Sequence, residues 1–522
     1  MASITHFLKN SSDFLKRNNV LLLIIFLILL AVPLRFKNLD YSDYHGDEYK
    51  AFLIPGADEN AWQFLLRQRK GPMQFLVSYI PYLVTHNFRT EFAERIPFAI
   101  ASCLSIAFFF LFVKNITKSK LMAFISSLLF ITNGFVSGIG RIAQYQNLNL
   151  LFSFAALFFY SKLIDQPLSD KKSLKLSLLG TFFWCLSVLS HWDAILIAPV
   201  VIYIIFKSLS HCENKVSGLK VLLVNIMLGL ALTLPFIVPY IDAFKTIAHN
   251  RDYALDRVGL DLGYSKIPLY KELTELYNPF LTLPFLLIAG LIGVLNFKKS
   301  LLITLWFTVV FAFFELFVKH PGTHFYNFLL PLIILSGIGA GTLFNLFKFT
   351  KFLVAPVLLV VIAFLYFQTY MLFVDHSVEY PFKDKTVLKI PNFYEMDGYF
   401  LNLVAQGIEN IKPDYMRGSY VPLFGFTHHR FWNEIGAFVN SQNTIGHEKL
   451  KYITNEDKTV SERYMDTKYG LDGGFYAVGI RRPMNFVQDF GFPNYSHKTR
   501  VQSFSQEGEV VVVIYKVEGL PQ

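Results

Sequence analysis

Charge is what this sequence has least of. Only 16% of its 522 residues are Asp, Glu, Lys or Arg, against roughly 25% in soluble domains. Together with 53% hydrophobic residues, this excludes an ordinary soluble enzyme and indicates a polytopic membrane protein. Cysteine is scarce too. Cys103 and Cys185 lie in apolar runs and Cys212 in a basic loop, which indicates neither a disulfide framework nor a cysteine-bound zinc. Phosphate loops, dinucleotide fingerprints and a G-x-S-x-G nucleophile are absent from the sequence, so a soluble nucleotide cofactor is not expected.

What is present is a series of apolar runs. Candidate spans fall near 20–36, 94–113, 121–139, 145–161, 174–190, 192–207, 221–240, 279–297, 300–318, 325–347 and 352–374, about eleven in all. The first follows Lys9, Lys16 and Arg17 and lacks a small-residue cleavage site, so it reads as a retained span rather than a signal peptide. The net charge of +10 would suggest nucleic acid in a soluble protein. Here the lysines flank the spans, so orientation in the bilayer accounts for them and no nucleic-acid partner is expected.

The lysines also set the topology. With a cytoplasmic N-terminus, the inner loops hold Lys114, Lys118 and Lys120, then Lys162, Lys171, Lys172 and Lys175, then Lys207, Lys215 and Lys220. Lys298, Lys299, Lys348 and Lys351 continue the alternation, while the short outer loops hold little beyond Arg141 and Lys319. Counting Pro72–Thr85 as a span would invert every later loop, so this short run, interrupted by Pro81, is read as a re-entrant or interfacial helix.

The expected fold is therefore a membrane domain over 1–376 with outer loops 37–93 and 241–278. A C-terminal extracytoplasmic α/β domain over 377–522 follows, because charge, Asn and Gly rise there and spans stop. "EIGAFVNSQ" reads as a helix, and "GFYAVGIRRP" and "GEVVVVIYKVEG" read as strands. Midspan charge is nearly absent, Glu315 near an outer end being the main exception. A coupled transporter usually needs such charge, so polar chemistry gathered at one mouth favours an enzyme at the membrane surface.

Several constellations fall on that outer side, each with a plain reading beside a functional one. In "DYHGDEYKAF", Asp47 and Glu48 are adjacent acids that either face water or cap a helix. Otherwise one of them serves as a general base toward a hydroxyl. Successive helical positions point about 100° apart, so the two are not equivalents. Arg141 in "GIGRIAQYQN" and Lys70 in "RQRKGPMQF" either sit at the interface or grip a phosphate. His191 and Asp193 in "SHWDAI" either anchor a tight turn or bind acceptor or sugar, and His324 and Tyr326 could join a phosphate site. His428 and His429 lack further ligands at metal spacing and read as surface histidines.

Taken in order, these stretches resemble the GT-C membrane glycosyltransferases, and more narrowly the protein O-mannosyltransferase and aminoarabinose-transferase group. "LRFKNLDYSDYHGDEYKAF" is similar to the first outer loop, where an Asp-Glu pair follows the first span. "RKGPMQFLVSYIPYLV" and "ERIPFAI" resemble the K-P-P and R-[LI]-P-x-A segments. "GRIAQYQNLNLLFSFAALFFYSKL", "LSVLSHWDAILIAPVVIY" and "GTHFYNFLLPLIIL" resemble an Arg-led span, the fifth and sixth spans and an H-Y-x-x-x-x-P segment. The likeness covers about residues 15–350. It implies sugar transfer from a polyprenyl-phosphate carrier to an extracytoplasmic acceptor, usually with inversion. By the resemblance Asp47 is the base, Glu48 orients acceptor or cleft, and Lys70, Arg141, His324 and Tyr326 attend the donor phosphate. No cofactor is implied, with a divalent metal left open. Gly71-Pro72 replaces the group's Pro-Pro, Arg69 an acid, and His191 a lysine of some members, departures that bear on substrate more than on reaction class.

Two other readings compete. A polymerase or ligase acting on undecaprenyl-diphosphate glycans would use several arginines in a large outer loop, and 241–278 offers Arg251 and Arg257. A lipid or solute transporter would use the midspan charge that this chain nearly lacks.

Overall fold

The computed structural model describes residues 2–45, 47–260, 265–278, 282–346, 349–377, 424–445, 450–471, 473–480, 498–506 and 508–518. The expected C-terminal segment therefore falls partly outside the described residues, including the end of "GFYAVGIRRP". The chain divides into two compact units. The first comprises Met1–Lys37, Ile54–Val77 and Ile96–Tyr370, and the second Asn38–Leu53, Ser78–Arg95 and Met371–Gln522.

Helices make up the first unit, with the helical stretches Ser78–Thr85, Glu91–Arg95 and Met371–Phe373 counted in the second. They run α1 (Ala2–Phe36), α2 (Ala61–Arg67), α3 (Pro72–Thr85), α4 (Glu91–Thr117), α5 (Lys120–Thr132), α6 (Gly134–Ile139), α7 (Tyr145–Ser161), α8 (Lys171–Ser190), α9 (Ala198–Ser210) and α10 (Lys215–Thr246). After these come α11 (Ala248–Arg257), α12 (Ile267–Tyr277), α13 (Thr282–Leu295), α14 (Phe297–Phe317), α15 (Tyr326–Phe344) and α16 (Thr350–Phe373). Among the described residues, eight helices are long and apolar enough to cross a membrane. Prolines such as Pro33, Pro97, Pro235 and Pro331 sit inside them, as membrane helices allow when neighbours satisfy the freed backbone.

Three of the eleven expected spans are helical but too short to count among these eight. The run 121–139 divides at Asn133, whose side chain accepts the Val136 N–H at 3.1 Å and so starts a separate helix α6. The runs 145–161 and 279–297 form α7 and α13, of 17 and 14 residues. The expected loop 241–278 is also mostly helical, since α10 runs on to Thr246 before α11 and α12. Pro72–Thr85 is a single helix, α3. Its Leu76, Tyr79, Ile80, Leu83 and Val84 recur at helical spacing and form an exposed apolar stripe.

Small residues let these helices approach backbone to backbone. A Cβ on Gly339 would lie 1.8 Å from the Ala289 carbonyl oxygen, and one on Gly293 would lie 2.0 Å from that of Leu335. Helices α13 and α15 therefore meet at a glycine contact, the packing that replaces hydrophobic drive inside lipid. Buried hydroxyls add hydrogen bonds between α7 and α8, with Tyr160 Oη 2.8 Å from Thr181 Oγ1 and Ser153 Oγ 2.8 Å from Ser187 Oγ.

The second unit contains a four-stranded mixed sheet of β1 (Lys451–Thr454), β2 (Phe475–Ile480), β3 (Lys498–Gln506) and β4 (Glu509–Val517) in the order β1-β2-β4-β3. β1 and β2 are parallel, and β4 is antiparallel to both β2 and β3. All of β2 is buried, which is why "FYAVGI" reads as a continuous apolar run rather than an alternation. Ile453, Phe475, Ala477, Val513 and Val517 form the core. The expected helix is α17 (Trp432–Ile445), its Phe438 ring in edge contact with Tyr476 of β2.

Candidate active-site residues

Within the second unit, the acidic stretch 43–48 separates into residues that build and one that is presented. Glu48 is fully buried, and its carboxylate takes Arg95 Nε at 2.9 Å and Arg95 Nη2 at 2.7 Å in a bidentate pair, plus the His45 N–H at 2.7 Å. Arg95 also donates to the carbonyls of Leu39, Ser42 and Asp43, so one guanidinium ties down the whole loop. Asp43 is buried as well, its carboxylate accepting the backbone N–H groups of Arg430 and Trp432. Arg430 in turn donates to the Tyr44 carbonyl at 2.7 Å and pairs with Glu456 at 2.6 Å. Burial alone would lower the Arg430 pKa, but the charges of Glu456 and Asp43 hold it above its ordinary value.

Asp47 differs. It is partly exposed, its N–H donates to His45 Nδ1 at 3.1 Å, and its carboxylate pairs with Lys50 on the short 3₁₀ turn Glu48–Ala51. His45 is buried against Phe424, and burial pulls its pKa down to about 4, so the ring is neutral at pH 7. Glu48 thus acts on the loop's shape, and Asp47 is the carboxylate left within reach.

The remaining candidates lie in the first unit, and most of them converge. Asp193 is buried at the turn after α8. Its carboxylate takes His324 Nδ1 at 2.8 Å and the Tyr326 hydroxyl at 2.8 Å, while His191 Nδ1 lies 3.2 Å away. Tyr326 also receives Asn149 Nδ2 at 3.1 Å, and Asn149 Oδ1 is held by Ser187 and Ser153 at 2.7 and 2.9 Å. The Tyr145 ring stacks on His191 with centroids 3.9 Å apart, and Lys70 Nζ stands 4.5 Å from the Tyr145 centroid while donating to Gln144 Oε1 at 3.2 Å. Burial lowers the His191 pKa, which keeps that imidazole neutral near pH 7 despite the Asp193 charge.

Local sequence explains the assembly. His191 has extended backbone between α8 and the 3₁₀ turn Trp192–Ile197, so His191 and Asp193 turn to one side. His324 lies on the 3₁₀ turn Gly322–Phe325 that leads into α15. Gly71 is required beside Lys70, since a Cβ there would fall 1.9 Å from the Leu189 carbonyl oxygen. Arg141 is placed otherwise: its guanidinium donates to the carbonyls of Leu34 and Lys37 at 3.1 and 2.9 Å, capping the end of α1. Sequence reasoning did not single out Asp43, Arg95, Arg430, Tyr145 or Asn149. A signal existed for Arg95 and Asn149, each a polar residue in an apolar helix.

The described helices and the small sheet share the fold of a solved structure. The structure is similar to ArnT from Cupriavidus metallidurans bound to undecaprenyl phosphate, at 13% identity over 94% of this chain and 97% of that one, with a TM-score of 0.52. AglB from Archaeoglobus fulgidus, solved with an inhibitory peptide and a dolichol-phosphate, matches at 11% identity over 89% of this chain and 70% of that one, with a TM-score of 0.46. The Pmt1-Pmt2 protein O-mannosyltransferase complex of S. cerevisiae bound to the sugar donor matches at 15% identity over 44% and 34%, with a TM-score of 0.34. No curated protein matches the sequence. Residues 60–248 match the family model of dolichyl-phosphate-mannose-protein mannosyltransferases. The family model thus covers less than half of the chain, and the solved structure shares its fold at low identity.

Proposed function

We propose that this chain is a GT-C-type membrane glycosyltransferase that moves a glycosyl group from a polyprenyl-phosphate carrier to a hydroxyl-bearing acceptor on the extracytoplasmic side of the plasma membrane. One observation carries the reading. The segment that matches the mannosyltransferase family, 60–248, supplies Lys70, Tyr145, His191 and Asp193 to one polar cluster. On this reading the eleven helical runs all belong to the membrane domain, with the N-terminus inside and α3 lying in the outer interface.

The chemistry follows from the charges. Asp47 takes the acceptor proton as the acceptor oxygen forms its bond to the anomeric carbon. The bond from that carbon to the phosphate oxygen breaks on the opposite face, which inverts the centre. The leaving polyprenyl phosphate gains negative charge, and Lys70 with the His324 imidazole stabilises it. Glu48 supports Asp47 by holding its loop, and Arg141 acts by fixing the end of α1. His191 and Asp193 shape the donor side.

The test is sugar transfer from synthetic polyprenyl-phosphate mannose and aminoarabinose by the purified full chain in lipid nanodiscs. Asp47→Asn should insert and unfold like the wild type yet lose roughly 10²–10⁴-fold in turnover, the usual worth of a general base. Wild-type turnover in that variant overturns the assigned base. Consumption of diphosphate-linked glycans, but not of monophosphate sugars, would favour a polymerase or ligase instead.

A further inference from the structure

The His191–Asp193–His324 cluster has the form of a metal site. One ligand atom from each residue lies within 4.8 Å of the others. His191 Nδ1 is 3.2 Å from Asp193 Oδ1, and His324 Nδ1 is 3.1 Å from the same oxygen. Zinc bound at about 2.0–2.1 Å in a tetrahedron sets its ligand atoms roughly 3.3 Å apart, close to the two histidine–aspartate separations, with all three atoms within 4.8 Å of one another.

Both imidazoles turn the same nitrogen, Nδ1, toward one carboxylate. A single proton on His324 explains one of those contacts. At His191 the Nδ1 is unprotonated, accepting the Asp193 N–H at 3.2 Å, a hydrogen bond that a metal at this nitrogen would replace. The surroundings are those that hold ligands still. Tyr326 donates to Asp193 Oδ2 at 2.8 Å, and Asn149, Ser153 and Ser187 brace Tyr326 in a continuous buried chain. Tyr145 fixes the His191 ring by stacking. Outer partners of this kind normally accompany metal ligands and set their orientation.

We propose that His191, Asp193 and His324 bind one divalent transition metal of the zinc class, leaving a fourth position open to a phosphate oxygen. Two imidazoles and a carboxylate suit zinc, cobalt or nickel rather than magnesium or calcium, which prefer all-oxygen ligands. With neutral imidazoles the three side chains sum to −1, and a divalent ion converts this to +1, the sign a phosphate requires. The role of the open position rests on the donor reading given above, whereas the metal site itself does not.

The experiment uses the full chain in nanodiscs, stripped with a chelator and dialysed against zinc alone. The expected result is one zinc per chain, with cobalt substitution giving the visible absorption of a tetrahedral site. His191→Ala and His324→Ala should each lose the metal, and Tyr326→Phe should weaken it about 10–100-fold. His320→Ala, outside the cluster, is the control for surface histidines, and thermal unfolding checks that each variant is folded. Zinc bound equally by the wild type and by a folded His191→Ala/His324→Ala double variant, or by neither, overturns the proposal. Sugar transfer by a metal-free wild type would leave the proposed function standing while removing the metal's part in it. Stoichiometric zinc in a chain that transfers no sugar would do the reverse.

Discussion

The two units each contain a buried cluster built around carboxylates, and the clusters differ in what neutralises the charge. In the second unit the partners are arginines: Arg95 on Glu48 and Arg430 on Glu456, with every group almost fully buried. In the first unit Asp193 faces two imidazoles and a phenol, and both histidines stay partly accessible. Guanidinium never releases its proton under ordinary conditions, so the first kind of pair can only hold shape. Imidazole can give up a proton, accept one or bind a cation, so the second kind can do chemistry. The carboxylates in both clusters are buried, and the choice of base decides the role.

The most disruptive way to test this contrast is Arg95→Ala. Removing one partner of a buried ion pair typically costs about 3–5 kcal/mol, and here it also strands three loop carbonyls. The expected outcome is loss of folded protein, read by detergent-solubilised thermal unfolding. The double change Glu48→Gln with Arg95→Met should recover part of the loss, and no recovery would mean the loop depends on the carbonyl contacts alone.

Lys70→Ala examines the other side of the comparison. It should leave the unfolding midpoint nearly unchanged and lower turnover roughly 10²–10³-fold, the usual effect of removing one donor to a developing oxyanion. A fall in stability with turnover per folded molecule intact would move Lys70 into the shape-holding class.

His45 gives a pH signature for the second unit. Its pKa is about 4 when folded and about 6.5 when unfolded, so between those values the unfolded chain binds more protons. Stability from this group is complete above about pH 6.5 and declines as pH falls toward 4, by on the order of 3 kcal/mol in all. His45→Gln should flatten that decline in the unfolding midpoint, and an unchanged slope would assign it to other groups. The smallest effect is expected from Lys50→Ala. Its pair with Asp47 is partly exposed, so stability should change by less than about 1 kcal/mol.

Much of this architecture is legible in the linear chain. Apolar runs mark helices because lipid requires every backbone group to be satisfied within its own segment, a local condition. The inequality of Asp47 and Glu48 is also readable from helical geometry, since neighbours cannot face the same way. The break at Asn133 is less visible, because Asn is a cap only when the chain around it turns. Arg95 and Arg430 are hidden for a different reason. They hold residues 39–48 from 47 or more positions away along the chain, and an ion pair leaves no periodic mark in either segment.

What the sequence alone determined is the membrane class, the helical runs and the strands, because each depends on the character of neighbouring residues. The assembly of His191, Asp193, Tyr145 and Asn149 with His324 and Tyr326 was decided only in three dimensions. Asn149 and Tyr326 stand 177 positions apart, and only helix packing brings their atoms within hydrogen-bond distance. The same holds for Arg141, which reads as either an interfacial residue or a phosphate ligand in the linear chain and whose guanidinium caps the end of α1 in the folded one. A charged side chain takes the partner that packing places nearest, and packing is not written at the charge.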